Sequence, residues 1–271
     1  MTDPTTRPLR FGVVTPVLTD VNTWRDEVRR IADSGYSTVL MPDVPSWQPA
    51  PGPTLALAAS IANVRVGTWV YASPFRQPWN LAWESHSLSV LTEGRFDMGI
   101  GTGRPGLIDE LRTLGIPEAA ATGRVAQVRD SVKTLRELDG TDLHTPVVMA
   151  VRGPKARALA AEVADVVTFA GSPDGSRADV AVLAEEFRGK DVELALHVSV
   201  VGDTVAAFMA PPDIDTAALR AADSLSYLPS DPAAAAEEIL RRRAENGFSY
   251  VVIGLNSSRT LAPVVAQLAG S

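Results

Sequence analysis

Eight times along this chain, a short β-branched run is followed by a stretch with apolar residues at helical spacing. That alternation limits the fold more than any other feature, because it calls for parallel strands joined by helical crossovers. Arg10–Pro16 reads as the first strand. Thr23 is expected to cap a helix in which Trp24, Val28, Ile31 and Ala32 share a face, with Gly35 as its stop. Tyr36–Met41 and Val64–Tyr71 read as the second and third strands, with a helix over Thr54–Asn63 between them. A helix over Leu81–Thr92 turns Leu81, Leu88 and Leu91 inward. Arg95–Ile100 is the fourth strand, followed by a glycine-rich stretch and a long connection. Val125, Val128, Val132 and Leu135 then mark a fourth helix.

Pro146–Ala150, Asp165–Ala170, Val192–Val201 and Tyr250–Leu255 complete the strands. The helices among them carry the stripe Ala156, Leu159, Ala160 and Val163, the segment Arg177–Phe187, and Pro232–Glu245. The stripe Leu261, Val264, Val265 and Leu268 closes the chain. Residues 203–229 read as irregular, since Pro211, Pro212 and Pro229 interrupt any long helix. Eight such units in 271 residues fit a (β/α)8 TIM barrel, with an open doubly wound sheet as the competing α/β architecture. No composition break or linker divides the chain, so residues 1–271 are expected to form a single domain.

Several function classes fall away on composition. Lys and Arg total 25 against 32 Asp and Glu, a net charge of −7, which disfavours a nucleic-acid or anionic-membrane partner. There is no cysteine, hence no thiol nucleophile, disulfide or Cys-based zinc site. His86, His144 and His197 are too widely spaced for a metal-ligand motif. The longest uncharged run, residues 44–64, is broken by Pro45, Pro49, Pro51 and Pro53 and cannot span a bilayer. The start, MTDPTTRPLR, has no hydrophobic signal core, so a cytoplasmic location is expected. Gly99-Ile100-Gly101-Thr102-Gly103 follows a strand but lacks G-x-G-x-x-G spacing, and no Walker-type loop is present.

Barrels of this kind place ligands on the loops after the strands. Those loops hold Thr15 and Pro16, Asp43 to Trp47, Ala72 to Arg76, Gly101 to Arg104, Val151 to Lys155, Ala170 to Ser172, and residues from Gly202 onward. They contain no paired carboxylates, no G-x-S-x-G and no Ser/His/Asp set. Such a site suits chemistry carried by a bound cofactor, with the protein supplying a slot and its electrostatics.

The blocks R-F-G-V at 10–13, G-Y-S-T-V-L-M-P-D at 35–43, V-R-V-G-T-x-V at 64–70 and F-R-Q-P at 75–78 resemble the bacterial luciferase-like flavin and deazaflavin oxidoreductases. The same is true of L-T-E-G-R-F-D-M-G-I-G-T-G at 91–103, L-G-I-P at 114–117 and R-G-P-K-A-x-x-L-A-A-E-x-A-D at 152–165. More weakly, so does F-S-Y-V-V-I-G-L at 248–255. The order and spacing of the blocks are most similar to the branch that uses coenzyme F420. The resemblance implies a homodimeric TIM barrel that passes hydride between F420 and a small organic substrate. The FMN-dependent monooxygenases of the family, which draw on a partner reductase, are the alternative. A barrel that has lost redox chemistry and serves as a binding or non-redox protein is the third.

The resemblance also implies site residues. A non-prolyl cis peptide backing the ring is expected near Ala72-Ser73. Gly101, Thr102 and Gly103 either let the backbone approach the flat cofactor or serve as a turn, and Arg104 at the rim either meets an acidic part of the ligand or is solvated. Phosphate binding falls to Arg152, Gly153 and Pro154, where Val151 and Arg152 stand in place of the family's glycines, so that Arg152 either grips a phosphate or closes the pocket. Gly171, in Ala170-Gly171-Ser172, is a second phosphate position. Asp43 is followed by Val44 where relatives carry His, so Asp43 either hydrogen-bonds the ring or substrate or serves its own loop. Trp47 covers the site or packs locally. Glu84 and Arg124 match positions of a structural ion pair. Arg76 is read as structural, as are His86 and His144. His197 lies mid-strand and points either into the barrel or toward the helices, while Trp69 and Trp79 fill core and helix-layer space.

Overall fold

A computed structural model describes residues 7–45, 47–104, 106–171 and 175–271. Eight parallel strands close into a barrel: β1 (Arg10–Val14), β2 (Thr38–Met41), β3 (Arg65–Thr68), β4 (Phe96–Gly101), β5 (Val147–Val151), β6 (Val166–Phe169), β7 (Glu193–His197) and β8 (Phe248–Gly254). Each pairs with the next, and β8 returns to β1, with Arg10 opposite Tyr250 and Val14 opposite Gly254. The open-sheet alternative is therefore set aside. Both faces of the strands are covered, which is why they read as near-continuous Val, Leu and Ile runs.

Helices α1 (Val21–Asp33), α2 (Pro51–Ile61) and α3 (Pro78–Leu91) follow the first three strands. Asp20 caps α1, accepting from the N–H groups of Asn22 and Thr23 and from the Thr23 hydroxyl, so the helix starts earlier than the Thr23 reading. On α3, Leu81 and Leu88 point inward as expected. Leu91, at the helix end, is exposed, as is Trp79. The long connection after β4 contains an unforeseen helix, α4 (Leu107–Thr113), ahead of α5 (Ala121–Asp139). Then come α6 (Pro154–Val163), α7 (Arg177–Glu185), α8 (Thr216–Ala221), α9 (Pro232–Asn246) and α10 (Ala262–Leu268). The stretch read as irregular holds α8 and a small three-stranded sheet, in which Val200–Val201 pairs with Thr204–Val205 and Tyr227–Leu228. Val200 and Val201 thus leave the barrel strand to which the sequence pattern assigned them.

The third strand is interrupted. Gly67 pairs with Asp97, and the chain resumes pairing only at Tyr71, opposite Ile100. Four steps on this strand meet three on β4, a one-residue bulge. The cis peptide lies inside it, at Trp69-Val70 rather than at Ala72-Ser73. Gly99 faces the bulge: a Cβ there would lie 1.9 Å from the Thr68 carbonyl oxygen, so only glycine fits.

The N-terminal end of the barrel is closed by ions. Arg10 binds Glu193 at 2.6 Å and approaches Asp97 at 3.6 Å, while Arg65 binds Asp97 at 2.5 Å. The Arg10 guanidinium lies over the Tyr250 ring at 3.6 Å, and Ser249 donates to Glu193.

Candidate active site

At the opposite end the interior of the barrel is filled by neutral groups, and the ion pairs lie in the loops around it. Val14, Leu40, Trp69, Val148, Val166, Ala195, Tyr250 and Val252 pack together inside the barrel, and Ala206 and Met209 from the loop after β7 join them from above. Gly254 makes that approach possible, because a Cβ there would sit 2.3 Å from the Ala206 methyl. At the rim, Trp47 meets Phe208 with ring centroids 4.4 Å apart, bringing the loops after β2 and β7 together. Gln48 anchors the first of these loops, donating to the Pro42 carbonyl and accepting from the Val17 N–H.

His197, the last residue of β7, turns into this mouth. Its ring lies nearly parallel to that of Trp69, at 7° and 6.1 Å between centroids. The Trp69 indole N–H donates to His197 Nδ1 at 3.1 Å. An indole nitrogen is a donor only, so Nδ1 accepts and the imidazole proton sits on Nε2, which donates to the Met209 carbonyl at 3.2 Å. Burial pulls the His197 pKa below the ordinary imidazole value, in keeping with this neutral tautomer. Sequence alone left the direction of this side chain open; strand alternation settles it once Ala195, two residues earlier, is seen inside the barrel.

Asp43 is buried and fully engaged. Arg76 grips it bidentately at 2.5 and 2.9 Å, and the Ala72 N–H donates to it at 3.1 Å. Arg76 also lies over the Tyr71 ring at 4.6 Å, and the Tyr71 hydroxyl donates to Glu84 at 2.7 Å. Burial alone would lower the Arg76 pKa, but the hydrogen bonds and charge of Asp43 outweigh it, so Arg76 titrates above the ordinary arginine value. Burial, joined by Glu84, holds the Tyr71 hydroxyl protonated well above the usual tyrosine range. These side chains brace the 71–76 turn and leave no free carboxylate there. Glu84 accordingly does not pair with Arg124, which donates instead to the Ala119 carbonyl. Ser73 is buried, its hydroxyl 3.5 Å from the Arg124 carbonyl.

The remaining expected positions ring the mouth without converging on one point. Gly101 is buried beside Ala150 at the end of β4, Thr102 is half-buried, and Gly103 is exposed at φ +99°. Arg104 is held by Glu110 and faces Phe75. Arg152 is exposed, Gly153 N-caps α6, and Pro154 opens that helix; a Cβ on Gly153 would meet nothing within 4 Å. Gly171 is exposed, while Ser172 lies outside the described residues. His86 binds Asp139 and His144 binds Asp165, far from the mouth in the fold. Thr168, an inward residue that the sequence reading passed over, is 4% exposed and its hydroxyl has no partner. Among the described residues no cluster of His and carboxylates suits a metal ion, and no helix is long and apolar enough to cross a membrane.

Eight parallel strands, each followed by a helical crossover, define a (β/α)8 barrel, a class whose ligands sit on the βα loops. Residues 9–247 match the luciferase-like monooxygenase family, and the chain belongs to it. The 4-hydroxyprotoasukamycin monooxygenase of Streptomyces nodosus subsp. asukaensis is 30% identical over 119 residues, which are 41% of this chain and 32% of that protein. The coenzyme F420 dependent tetrahydromethanopterin reductase from Methanopyrus kandleri superposes with a TM-score of 0.72 at 16% identity, covering 97% of this chain and 99% of that one. An F420-dependent secondary alcohol dehydrogenase in complex with an F420-acetone adduct gives 0.73 at 15%, covering 97% and 99%. Monooxygenase RslO1 from Streptomyces bottropensis gives 0.68 at 16%, covering 96% and 98%. At these identities the likeness speaks for the fold.

Proposed function

We propose that the protein is an oxidoreductase that binds coenzyme F420 in the barrel mouth and passes hydride between it and a small organic substrate. One observation carries this reading: among the described residues, the buried carboxylate and the imidazole of the mouth are both already engaged. Asp43 is locked by Arg76 and Ala72, and His197 is neutral with both nitrogens engaged. Side chains so occupied orient a ring and exclude water, leaving the bond-making to the ring itself.

The residues fit such a group. The buried Thr168 hydroxyl, which has no partner, offers a polar contact inside the mouth. The open N-terminus of α6, flanked by exposed Arg152 and Lys155, suits a phosphate. When bound, the deazaflavin ring supplies hydride chemistry. In this reading Trp47 covers the ring, and Asp43 acts through the turn after β3, holding the Ala72 N–H and Arg76. The second reading, an FMN-dependent monooxygenase, draws on the name of the curated relative. Titration with F420 and, separately, FMN, followed by tryptophan quenching, tests both. Saturable F420 binding with none for FMN is expected; the reverse moves FMN to first place, and binding of neither removes the redox assignment in favour of a non-redox barrel.

The same proposal places the protein in the cytoplasm as a homodimer, with no nucleic-acid or membrane partner. Helix α2 has no charged residue, and Glu84, the one charge on α3, is turned inward onto Tyr71. Trp79, Trp83 and Val90 share an outer stripe of α3, with Leu91 beside it. Together they expose roughly 500 Å² of apolar surface, a large part of the roughly 800 Å² each partner of a stable pair buries. Trp83→Glu is expected to give a monomer by sedimentation equilibrium.

A further inference from the structure

We propose that residues 206–210 are a displaceable plug, and that the Met209 carbonyl stands where a neutral carbonyl oxygen of the ligand binds to His197. This names a contact within the site proposed above and rests on that placement of the ligand.

The plug is held unequally at its two ends. Near its start, the Ala206 N–H donates to Ser199 at 2.8 Å, and Asn256 donates to the Val205 carbonyl at 2.7 Å. Among the described residues, its far side is held by one hydrogen bond to the barrel, the 3.2 Å bond from His197 Nε2 to Met209, by the Met209 side chain, which is 7% exposed, and by the Phe208 ring against Trp47 at the rim. Phe208 sits at φ +66°, a left-handed backbone position that a non-glycine residue adopts at a cost. The segment therefore has a firm hinge and a lightly secured tip.

Underneath lies an incomplete polar site. Trp69 fixes the His197 tautomer, so Nε2–H is a pre-aimed donor with one missing partner whenever Met209 withdraws. Thr168 lies two residues beyond Val166 on the same inward face and is registered against Ala195, two residues before His197. Its buried hydroxyl has no partner in the closed state, and an unmet buried hydroxyl is destabilising. A ligand oxygen in the mouth supplies what the plug does not.

Charge selects the class of ligand. Among the described residues, the cations around the mouth are paired or lie at its outer edge: Arg76 with Asp43, Arg104 with Glu110, and Arg152 and Lys155 exposed at the start of α6. A carboxylate or phosphate brought to His197 would lie buried against a neutral donor, which is unfavourable. A carbonyl on a planar ring or ketone loses little and matches the backbone carbonyl now in place.

Lumichrome tests this without a phosphate: it is neutral, planar and carries ring carbonyls. Titrated into the full chain, it is expected to shift the indole N–H of Trp69, assigned with Trp69→Phe, and to speed hydrogen exchange at residues 206–210. His197→Phe should weaken binding about tenfold. His197→Gln, which keeps an N–H donor, should recover most of it. Met209→Ala should tighten binding severalfold, because it weakens the closed plug and removes nothing from the ligand. Parallel losses in both His197→Phe and Met209→Ala, or no Trp69 shift with wild-type protein, overturn the proposal. Lumichrome binding without F420 or FMN binding would leave this contact standing while the cofactor reading failed.

Discussion

The two ends of the barrel are closed by opposite kinds of chemistry. At the N-terminal end, Arg10 and Arg65 meet Glu193 and Asp97, and each carboxylate is nearly buried. At the C-terminal end a tryptophan, a neutral histidine and a methionine fill the space, with one hydrogen bond of 3.2 Å across the closure. Opening the first would leave charges without partners in a poorly solvated place; opening the second exposes a methionine and a carbonyl. A barrel assembled this way has a permanent floor and a removable cover.

Three predictions break or sharpen that contrast. The largest effect is expected at the floor. Arg10→Met strands Glu193 and should cost about 3–5 kcal/mol in urea unfolding, as for other broken buried pairs. Adding Glu193→Leu should recover part of it, because the orphaned charge is then gone. Next is the strand interruption: Gly99→Ala drives a methyl into the Thr68 carbonyl and should cost about 2 kcal/mol. The smallest effect is at the cover. The pKa of folded His197 lies below the 6.5 of an ordinary imidazole, so the unfolded chain binds the proton more readily. Its contribution is therefore complete above pH 6.5 and lost as pH falls through the folded value. His197→Gln should flatten that part of the stability–pH curve. A floor variant milder than the cover variants would reverse the comparison.

Much of the fold was legible because both periodicities are clean. Short apolar runs placed all eight strands, and stripes such as Val125, Val128, Val132 and Leu135 placed the helices other than α4 and α8. What escaped depends on contacts between distant segments. Residues 64–71 read as one strand because nothing local marks the bulge; the signal sits across the sheet, at Gly99. Residues 203–229 carry Pro211 and Pro212 and so read as irregular, yet Met209 enters the core because Gly254 clears its path beside Ala206. Asp43 could be picked out by its position, but its service to Arg76 and Ala72 became visible only with the turn folded above it. For His197, either face of the strand was compatible with the sequence, and Trp69 supplied the partner that defines its tautomer.

The hydrogen-bonded Trp69–His197 pair also makes the barrel its own optical probe. Trp47, Trp79 and Trp83 are exposed, and Trp24 is buried under the first βα loop, donating to the Thr15 carbonyl. Trp69 alone among the five lies within the barrel interior, 9% exposed, and together with buried Trp24 should supply the blue part of the emission. Protonated imidazole is an efficient quencher of indole emission and neutral imidazole a poor one. The blue edge of the spectrum should therefore darken with acid and change whenever Met209 leaves. No dye need be attached to watch the cover open.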